Sequence, residues 1–150
     1  MKILLPIDGS SLSLEAVRFA IRMAKAGLQV SAVVANVQEH ANLYELVMAH
    51  DPKVLEEVSA SAGAHTLLEA QNLLKSAKIE FQSEVATGDP AQTLIEIVER
   101  YECDLVVMGA SGMSNLRSAL LGSVSNEVMH AAKVPVMIVK SAQDAEEAGE

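Results

Sequence analysis

Five short runs of apolar, largely β-branched residues alternate along the chain with segments whose apolar residues recur at helical spacing. The runs are continuously apolar, a pattern typical of strands that are buried on both faces of a parallel sheet. Strands that alternate with helices predict an α/β fold with a doubly wound sheet and right-handed crossovers. The predicted strands are Ile3–Ile7, Val30–Val37, Ile79–Val85, Leu105–Met108 and Val134–Val139.

Four helices are predicted between these strands. The first ends near Gly27, a residue type common directly after a helix, and the long second helix ends near Lys78. The third begins at Asp89-Pro90, where Asp caps the helix and Pro suits its first position. The apolar positions that mark the helices are Ala16, Val17, Ala20, Met23 and Ala24; Val58, Ala62, His65, Leu68 and residues 70–74; Leu94, Val98 and Tyr101; and Val124, Val128, Ala131 and Ala132.

Two segments fit neither pattern. Gln38–Pro52 is polar and lacks a strand pattern, so we predict a connection there with a helical turn at Leu43–Met48. Ser141–Glu150 is acidic and rich in small residues, which is typical of disordered tails. We therefore predict one domain over residues 1–140 and a disordered tail over residues 141–150.

The composition narrows the functional classes. A chain of 150 residues has the size of a single domain, and its one cysteine, Cys103, excludes a disulfide framework and fits a reducing compartment. The formal charge of −9 repels phosphate backbones, and the 3% aromatic content leaves few rings to stack on bases, so we predict no nucleic-acid partner. No apolar run reaches the roughly 20 residues of a membrane helix. We predict a cytoplasmic protein without membrane insertion.

The first predicted strand ends in the acidic turn Pro6-Ile7-Asp8-Gly9-Ser10. Ligands of doubly wound sheets bind outside the carboxyl ends of the strands, so a carboxylate at this place can face a nucleotide or its metal ion. The alternative is structural: Asp8 or Ser10 caps the following helix. The turn residues alone leave both readings open.

A glycine-rich segment follows the fourth predicted strand. It reads Gly109-Ala110-Ser111-Gly112, then nine residues, then Gly122-Ser123 at the start of the last helix. Glycines that adopt positive φ let backbone N–H groups turn inward, and a helix N-terminus favours an anion, so the segment predicts a phosphate cradle. The P-loop and dinucleotide motifs GxxxxGK[ST] and GxGxxG are both absent from the sequence.

The residues together resemble the UspA-type universal stress protein family over residues 2–140. The spacing Gly-x2-Gly-x9-Gly-Ser, with Gly109, Gly112, Gly122 and Ser123, is that of the branch that binds ATP. The remaining segments that carry the resemblance are ILLPIDGS, the loop Gly88-Asp89-Pro90, DLVVMGASG and LLGSVSNEVMHAAKVPVMIVK.

The resemblance implies a five-stranded parallel sheet of order 3-2-1-4-5, Rossmann-like and similar to the adenine nucleotide alpha-hydrolases. It also implies that the chain binds ATP, or ADP or AMP, together with Mg²⁺. Asp8 would lie near the ribose or contact the nucleotide-bound metal, and Val37 would offer its backbone to adenine. The binding residues implied by position are Pro6, Asp8, Val37, Met108, Gly109, Ser111, Gly112, Gly122, Ser123 and Val124.

Two positions depart from the pattern common in that family. Asn36 stands where a histidine often precedes the strand-end valine, and Met113 stands where a basic residue is frequent. The missing basic residue predicts weaker triphosphate binding or a shift of preference toward AMP or ADP. Arg117 is the one cation of the loop, and it either reaches a phosphate or lies in solvent.

The last predicted strand is apolar and forms an edge of the implied sheet, which is a liability unless another strand or segment covers it. The resemblance implies a homodimer through antiparallel pairing of this strand. The interface residues would be Val136, Met137, Ile138 and Val139. The alternative is that the acidic tail covers the edge.

The leading functional prediction is a dimeric, nucleotide-linked regulator of a stress response that acts on an unidentified protein partner. One alternative is a scaffold or a transporter-regulating dimer that needs no nucleotide. Another is a slow ATPase or a self-phosphorylating protein, with Ser111 or Ser123 as acceptor. No catalytic residue is predicted, because a Gly-x-Ser-x-Gly elbow and a convincing triad are both absent. The four histidines lack zinc-site spacing, and Cys103 is predicted to be an inert buried thiol.

Overall fold

A computed structural model of the protein describes residues 1–40, 51–111 and 121–141. Within these residues, five parallel strands form one sheet in the order β3-β2-β1-β4-β5. The predicted fold class and strand order are therefore confirmed. The elements are β1 (Lys2–Pro6), α1 (Ser11–Lys25), β2 (Ser31–Gln38), α2 (Pro52–Ser76), β3 (Phe81–Thr87), α3 (Pro90–Arg100), β4 (Leu105–Gly109), α4 (Ser123–Ala131) and β5 (Val136–Val139).

The helices cover both faces of the sheet, as a doubly wound fold requires. Helices α1 and α2 pack on one face, where Leu5 and Val34 of the strands meet Val17 and Leu67 of the helices. Helices α3 and α4 pack on the other face in a second apolar cluster. The alternate side chains of β1, β2 and β4 therefore enter both clusters, which explains why these three strands are continuously apolar.

Several local predictions hold. Asp89 is the N-cap of α3, and its Oδ2 accepts a hydrogen bond of 3.0 Å from the backbone N–H of Gln92. Gly27 follows α1 with a φ of 109°, a backbone conformation that glycine adopts without strain. The last helix begins at Ser123, directly after Gly122.

Helix α2 differs from the prediction in its start and in its buried face. It begins at Pro52 after the N-cap Asp51, whereas we had assigned Pro52 to the preceding connection. Its buried residues are Gly63, Leu67, Ala70 and Leu74. The predicted markers Val58 and Leu68 are 60% and 49% exposed. Long helices rich in Ala, Ser and Gly carry a weak apolar pattern, so the packing decides the face.

The two edge strands are also shorter or more polar than predicted. Strand β3 begins at Phe81, and its Gln82 and Ser83 are exposed, because a second strand neighbour is lacking there within the described sheet. Strand β5 begins at Val136 and is half-buried throughout. The predicted turn at Leu43–Met48 and tail residues 142–150 lie outside the described residues. No helix in the described part of the chain is long and apolar enough to cross a membrane.

Candidate functional site

The turn after β1 brings an acidic side chain to the carboxyl edge of the sheet. The Ile7 N–H donates to the Ala35 carbonyl at 2.8 Å, which extends the β1–β2 pairing and places Asp8 beside Val37. Gly9 follows with a φ of 86°, so the chain reverses sharply into α1. The Asp8 side chain is exposed toward the space above the strand ends.

Asp8 and Ser10 form a local network that begins α1. Oδ1 of Asp8 accepts hydrogen bonds from both the N–H and the hydroxyl of Ser10. Oγ of Ser10 in turn accepts from the Ser13 N–H at 3.1 Å, so Ser10 is the N-cap of the helix. The capping alternative for this turn is therefore observed, and it leaves the Asp8 side chain at the edge of the sheet.

The end of β4 and the start of α4 meet across the same edge. Gly122 is the N-cap of α4, and its N–H donates to the Ala110 carbonyl at 2.8 Å. The buried hydroxyl of Ser125 donates to the Gly109 carbonyl at 2.9 Å. These two bonds fix the first turn of α4 against the strand end. Gly122 offers no side-chain cap, so the N–H groups of that turn remain directed at the sheet edge.

The glycines of this region are needed for space. Gly109 does not have a positive φ, since the described glycines with positive φ are Gly9, Gly27 and Gly88. A Cβ on Gly109 would lie 2.9 Å from Cγ of Leu12, and a Cβ on Gly122 would lie 3.2 Å from Cα of Ser111. Glycine therefore permits close packing at both positions.

These elements surround a cavity of about 360 Å³ at the carboxyl edge of the sheet. Nine of the ten residues named from the sequence line it, and the tenth, Gly112, lies outside the described residues. The nine are Pro6, Asp8, Val37, Met108, Gly109, Ser111, Gly122, Ser123 and Val124. The cavity is therefore assembled from the ends of β1, β2 and β4 and the N-termini of three helices.

Other lining residues were missed in the sequence. They are Ile7, Ser10, Ser13, Ala35, Glu39, Pro90, Leu94 and Ser125. Ile7 and Ala35 lie at or near the ends of β1 and β2, and Glu39 directly follows β2. The other five come from helix starts, which the Gly-x-x-Gly and strand-end patterns do not mark. Ser125, two residues after the Gly-Ser pair, carries the clearest signal that could have been used: a second hydroxyl in the first turn of α4.

A buried amide supports the floor of this edge. Nδ2 of Asn36 donates to the Ile7 carbonyl at 2.8 Å, and its Oδ1 accepts from Nε2 of Gln38. Asn36 is 4% exposed, and a Cβ on Gly63 of α2 would lie 2.9 Å from its Oδ1. Asparagine at the position where histidine is common thus joins the ends of β1 and β2 beneath α2.

The described residues form no cluster of metal-binding side chains, and the cysteine lies away from the cavity. The described residues contain no group of three or more His, Cys, Asp or Glu side chains that could hold a metal ion. Cys103 is 5% exposed at the opposite edge of the sheet, and burial raises the pKa of its thiol to about 11. The prediction of a buried thiol is confirmed.

The comparisons with known proteins agree with this geometry. A model described as the universal stress protein family matches residues 1–140. Universal stress protein MJ0531 of Methanocaldococcus jannaschii is 31% identical over 139 residues, which cover 93% of this chain and 81% of that protein.

Two similar solved structures contain nucleotides. A universal stress protein in complex with cAMP is 28% identical with a TM-score of 0.68, and the match covers 93% of this chain and 96% of that one. A family member from Arabidopsis thaliana with AMP bound is 18% identical with a TM-score of 0.68, covering 95% of this chain and 94% of that one.

Proposed function

The chain belongs to the universal stress protein family, and we propose that the cavity at the carboxyl edge of its sheet binds an adenine nucleotide. One observation carries the proposal: nine residues named from the sequence for this role line a single cavity. The cAMP and AMP found in the two similar structures support the choice of an adenine nucleotide.

The cavity offers different chemistry at its two ends. At the β2 end, Val37 and Leu94 give an apolar wall on which a purine ring can pack. At the β4 end, the N-terminus of α4 and the Ser123 hydroxyl suit a phosphate, because helix N-termini attract anions. Asp8 lies between them, two residues after β1, where its carboxylate can accept a hydrogen bond from a ribose hydroxyl. We therefore propose that the nucleotide lies across the strand ends, with its base over β2.

Gly122 adds no side-chain atoms to the phosphate end of the proposed site. A Cβ on Gly122 would already lie 3.2 Å from Cα of Ser111, so a larger side chain would occupy the phosphate end of the cavity. Mg²⁺, the metal implied by the family resemblance, would neutralise phosphate charge. Among the described residues only Asp8 and Glu39 bring carboxylates to the cavity, so the protein would contact the ion through the nucleotide.

The proposal is tested first on the protein as purified. Denaturation followed by chromatography with mass detection identifies any bound nucleotide, and calorimetric titration with AMP, ADP and Mg-ATP then gives the affinities. Gly122→Val should abolish binding. Gly27→Val is the matched control: its φ of 109° strains any other residue, but it lies at the far end of α1. No binding of any of these nucleotides at millimolar concentration would contradict the proposal and favour the nucleotide-independent scaffold.

We also propose that the protein acts in the cytoplasm as a homodimer that reports its nucleotide state to a protein partner. Strand β5 directs the carbonyls of Pro135 and Val139 at β4. Backbone groups of a strand alternate in direction from one residue to the next, so the N–H groups of Val136 and Ile138 point away from β4, toward the open side of the sheet. A second copy of β5 can pair with these groups.

Light scattering during size exclusion tests the dimer. The expected mass is twice the 15.9 kDa of one chain. Val136→Pro removes an outward N–H and should give monomers, whereas Val136→Thr keeps the N–H and should remain dimeric. A wild-type monomer at micromolar concentration would contradict this interface.

A further inference from the structure

Most hydroxyl groups in the cavity wall are already used within the protein. The hydroxyl of Ser10 donates to Asp8, and that of Ser13 donates to the Ser10 carbonyl at 2.8 Å. The hydroxyl of Ser125 donates to the Gly109 carbonyl. These three serines therefore hold the wall in place, and their hydroxyl protons are not available to a phosphate.

The donors that remain lie together at the start of α4. The Asn126 N–H donates to the Gly122 carbonyl as the first bond of the helix, which leaves the three N–H groups before it without a helical partner. On the described wall, the groups free to face a phosphate are the N–H groups of Ser123, Val124 and Ser125 and the hydroxyls of Ser111 and Ser123. A terminal phosphate has three non-bridging oxygens, so this set suits one phosphate group.

The charges of the wall oppose further phosphates. Asp8 and Glu39 line the cavity, and its described wall contains no lysine, arginine or histidine. The strand register places Asp8 beside Val37, and Glu39 follows two residues later. Neighbouring strands are about 4.8 Å apart, so both carboxylates lie within roughly 10 Å of a ligand that crosses β1 and β2.

We propose that this cavity selects adenine nucleotides by their phosphate charge, binding those with one phosphate more tightly than metal-free ATP, and that Glu39 is a residue that sets this preference. The inference rests on the proposed nucleotide site. The ligand class is adenosine with a single phosphate group, either a 5′-monophosphate or a cyclic monophosphate.

Each additional phosphate adds negative charge without gaining a new donor from the described wall. At about 10 Å and low ionic strength, repulsion between Glu39 and two extra charges reduces affinity by about fivefold. Mg²⁺ cancels part of that charge and should narrow the difference between ATP and AMP. Because the Debye length is about 8 Å at 0.15 M salt, the preference should also weaken as salt is added.

The test is calorimetric titration of the full chain with AMP, cAMP and ATP, each in EDTA and in excess Mg²⁺, at 20 mM and 200 mM salt (about 20 and 7 Å of screening length). The wild-type protein should bind AMP or cAMP at least tenfold more tightly than metal-free ATP. AMP carries about two negative charges of its own, so Glu39→Gln should raise its affinity as well. The variant should raise the affinity for metal-free ATP about fivefold more than it raises the affinity for AMP. Glu80→Gln makes the same charge change before β3, at the other edge of the sheet, and should change neither affinity.

The outcomes separate this inference from the nucleotide proposal itself. Equal or tighter binding of metal-free ATP overturns the inference while the nucleotide site stands, and Arg117→Ala then asks whether that loop cation supplies the missing charge. An ATP affinity that Glu39→Gln leaves unchanged overturns the role of Glu39. Tighter binding of AMP than of cAMP, or the reverse, decides which form of the single phosphate the site accepts. Failure of every nucleotide to bind overturns the proposed function, and this inference with it.

Discussion

The sheet has an amino edge, where its parallel strands begin, and a carboxyl edge, where they end. The polar groups at these two edges are used in opposite ways. At the amino edge, Lys2 donates its N–H to Oδ2 of Asp104 at 2.8 Å and its Nζ to the Tyr101 carbonyl at 2.9 Å. The Asp104 N–H returns a bond of 2.8 Å to the Lys2 carbonyl. At the carboxyl edge, by contrast, helix α4 begins at a glycine without a side-chain cap, and its N–H groups face a cavity.

The difference follows from the parallel topology. All five strands end at the same edge, and α1, α3 and α4 begin there, so carbonyl ends and helix N-termini converge with loops between them. At the other edge the helices end and short connections pass directly into strands. We expect substitutions at the amino edge to change stability alone, and substitutions at the carboxyl edge to change nucleotide binding.

We expect the largest effect at Gly109. It lies at the carboxyl edge, but a substitution there should change both stability and nucleotide binding. Gly109→Val should lower the free energy of unfolding by about 3 kcal/mol, because the new side chain must displace Leu12, and it should also abolish nucleotide binding. Urea denaturation and calorimetry measure the two effects. Adding Leu12→Ala should restore part of the stability. If the double variant is no more stable than the single one, contact with Leu12 is not the cause.

The thiol of Cys103, at the amino edge, should make the free energy of unfolding depend on pH in the alkaline range. Burial holds the pKa of Cys103 near 11, above the ordinary 9.0, so between these pH values the unfolded chain loses the thiol proton and the folded chain keeps it. The unfolded state is thereby favoured, and stability should fall as pH rises, by up to about 2 kcal/mol at pH 11. Denaturation of Cys103→Ala from pH 8 to 11 should lack this contribution, and parallel pH curves for both proteins would contradict it.

Ser125 tests whether a hydrogen bond at the carboxyl edge affects both stability and nucleotide binding. Ser125→Ala leaves the Gly109 carbonyl without its buried donor, which should cost about 1.5 kcal/mol in the free energy of unfolding. The start of α4 should also lose its fixed position, so AMP affinity should fall several-fold. Ser125→Thr, which keeps the hydroxyl, should retain more of both. Unchanged affinity in the alanine variant would show that this bond does not position the phosphate donors.

Asp104 is the corresponding test at the amino edge and has the smallest expected effect. Asp104→Ala removes the acceptor for the Lys2 N–H and should lower the free energy of unfolding by about 1 kcal/mol. Nucleotide affinity should stay within twofold of the wild-type value, measured by the same titration. A tenfold loss of affinity here would mean that the two edges are coupled, contrary to the division drawn above.

Much of the fold was predictable because local and long-range signals coincide. Continuous apolar runs identified β1, β2 and β4, and Asp89-Pro90 fixed the start of α3. The equivalent Asp51-Pro52 lies in a segment that we predicted to be a connection, although Asp51 caps α2 in the same manner and Val54 and Leu55 follow it. The first turns of α2 are mostly exposed, and Val54 is 51% exposed, so the apolar residues after this cap mark no buried face. Ala91 and Leu94, which follow the cap of α3, are buried.

Cavity residues were predictable where the structure requires a particular residue type, such as glycine. They were not predictable where a residue lines the cavity only because of its place in the fold. Gly109 and Gly122 stood out as glycines, although the structure shows that close packing against Leu12 and Ser111, not positive φ, requires them. Glu39 and Leu94 belong to elements that are distant in sequence and meet only after the sheet is wound. Their presence in the wall depends on strand order and helix placement, which a single sequence specifies only through its resemblance to a family.

The central place of β1 has a consequence for how the chain reaches its fold. Ile3 and Leu4 pair with Leu105 and Val106, so one edge of the first strand acquires its partner only after about a hundred further residues. At synthesis rates of about 5–20 residues per second, that apolar edge is open for roughly 5–20 s. Contacts so distant in sequence also slow folding. The newly made chain therefore passes through an interval in which the central strand of its sheet is open to pairing with other chains.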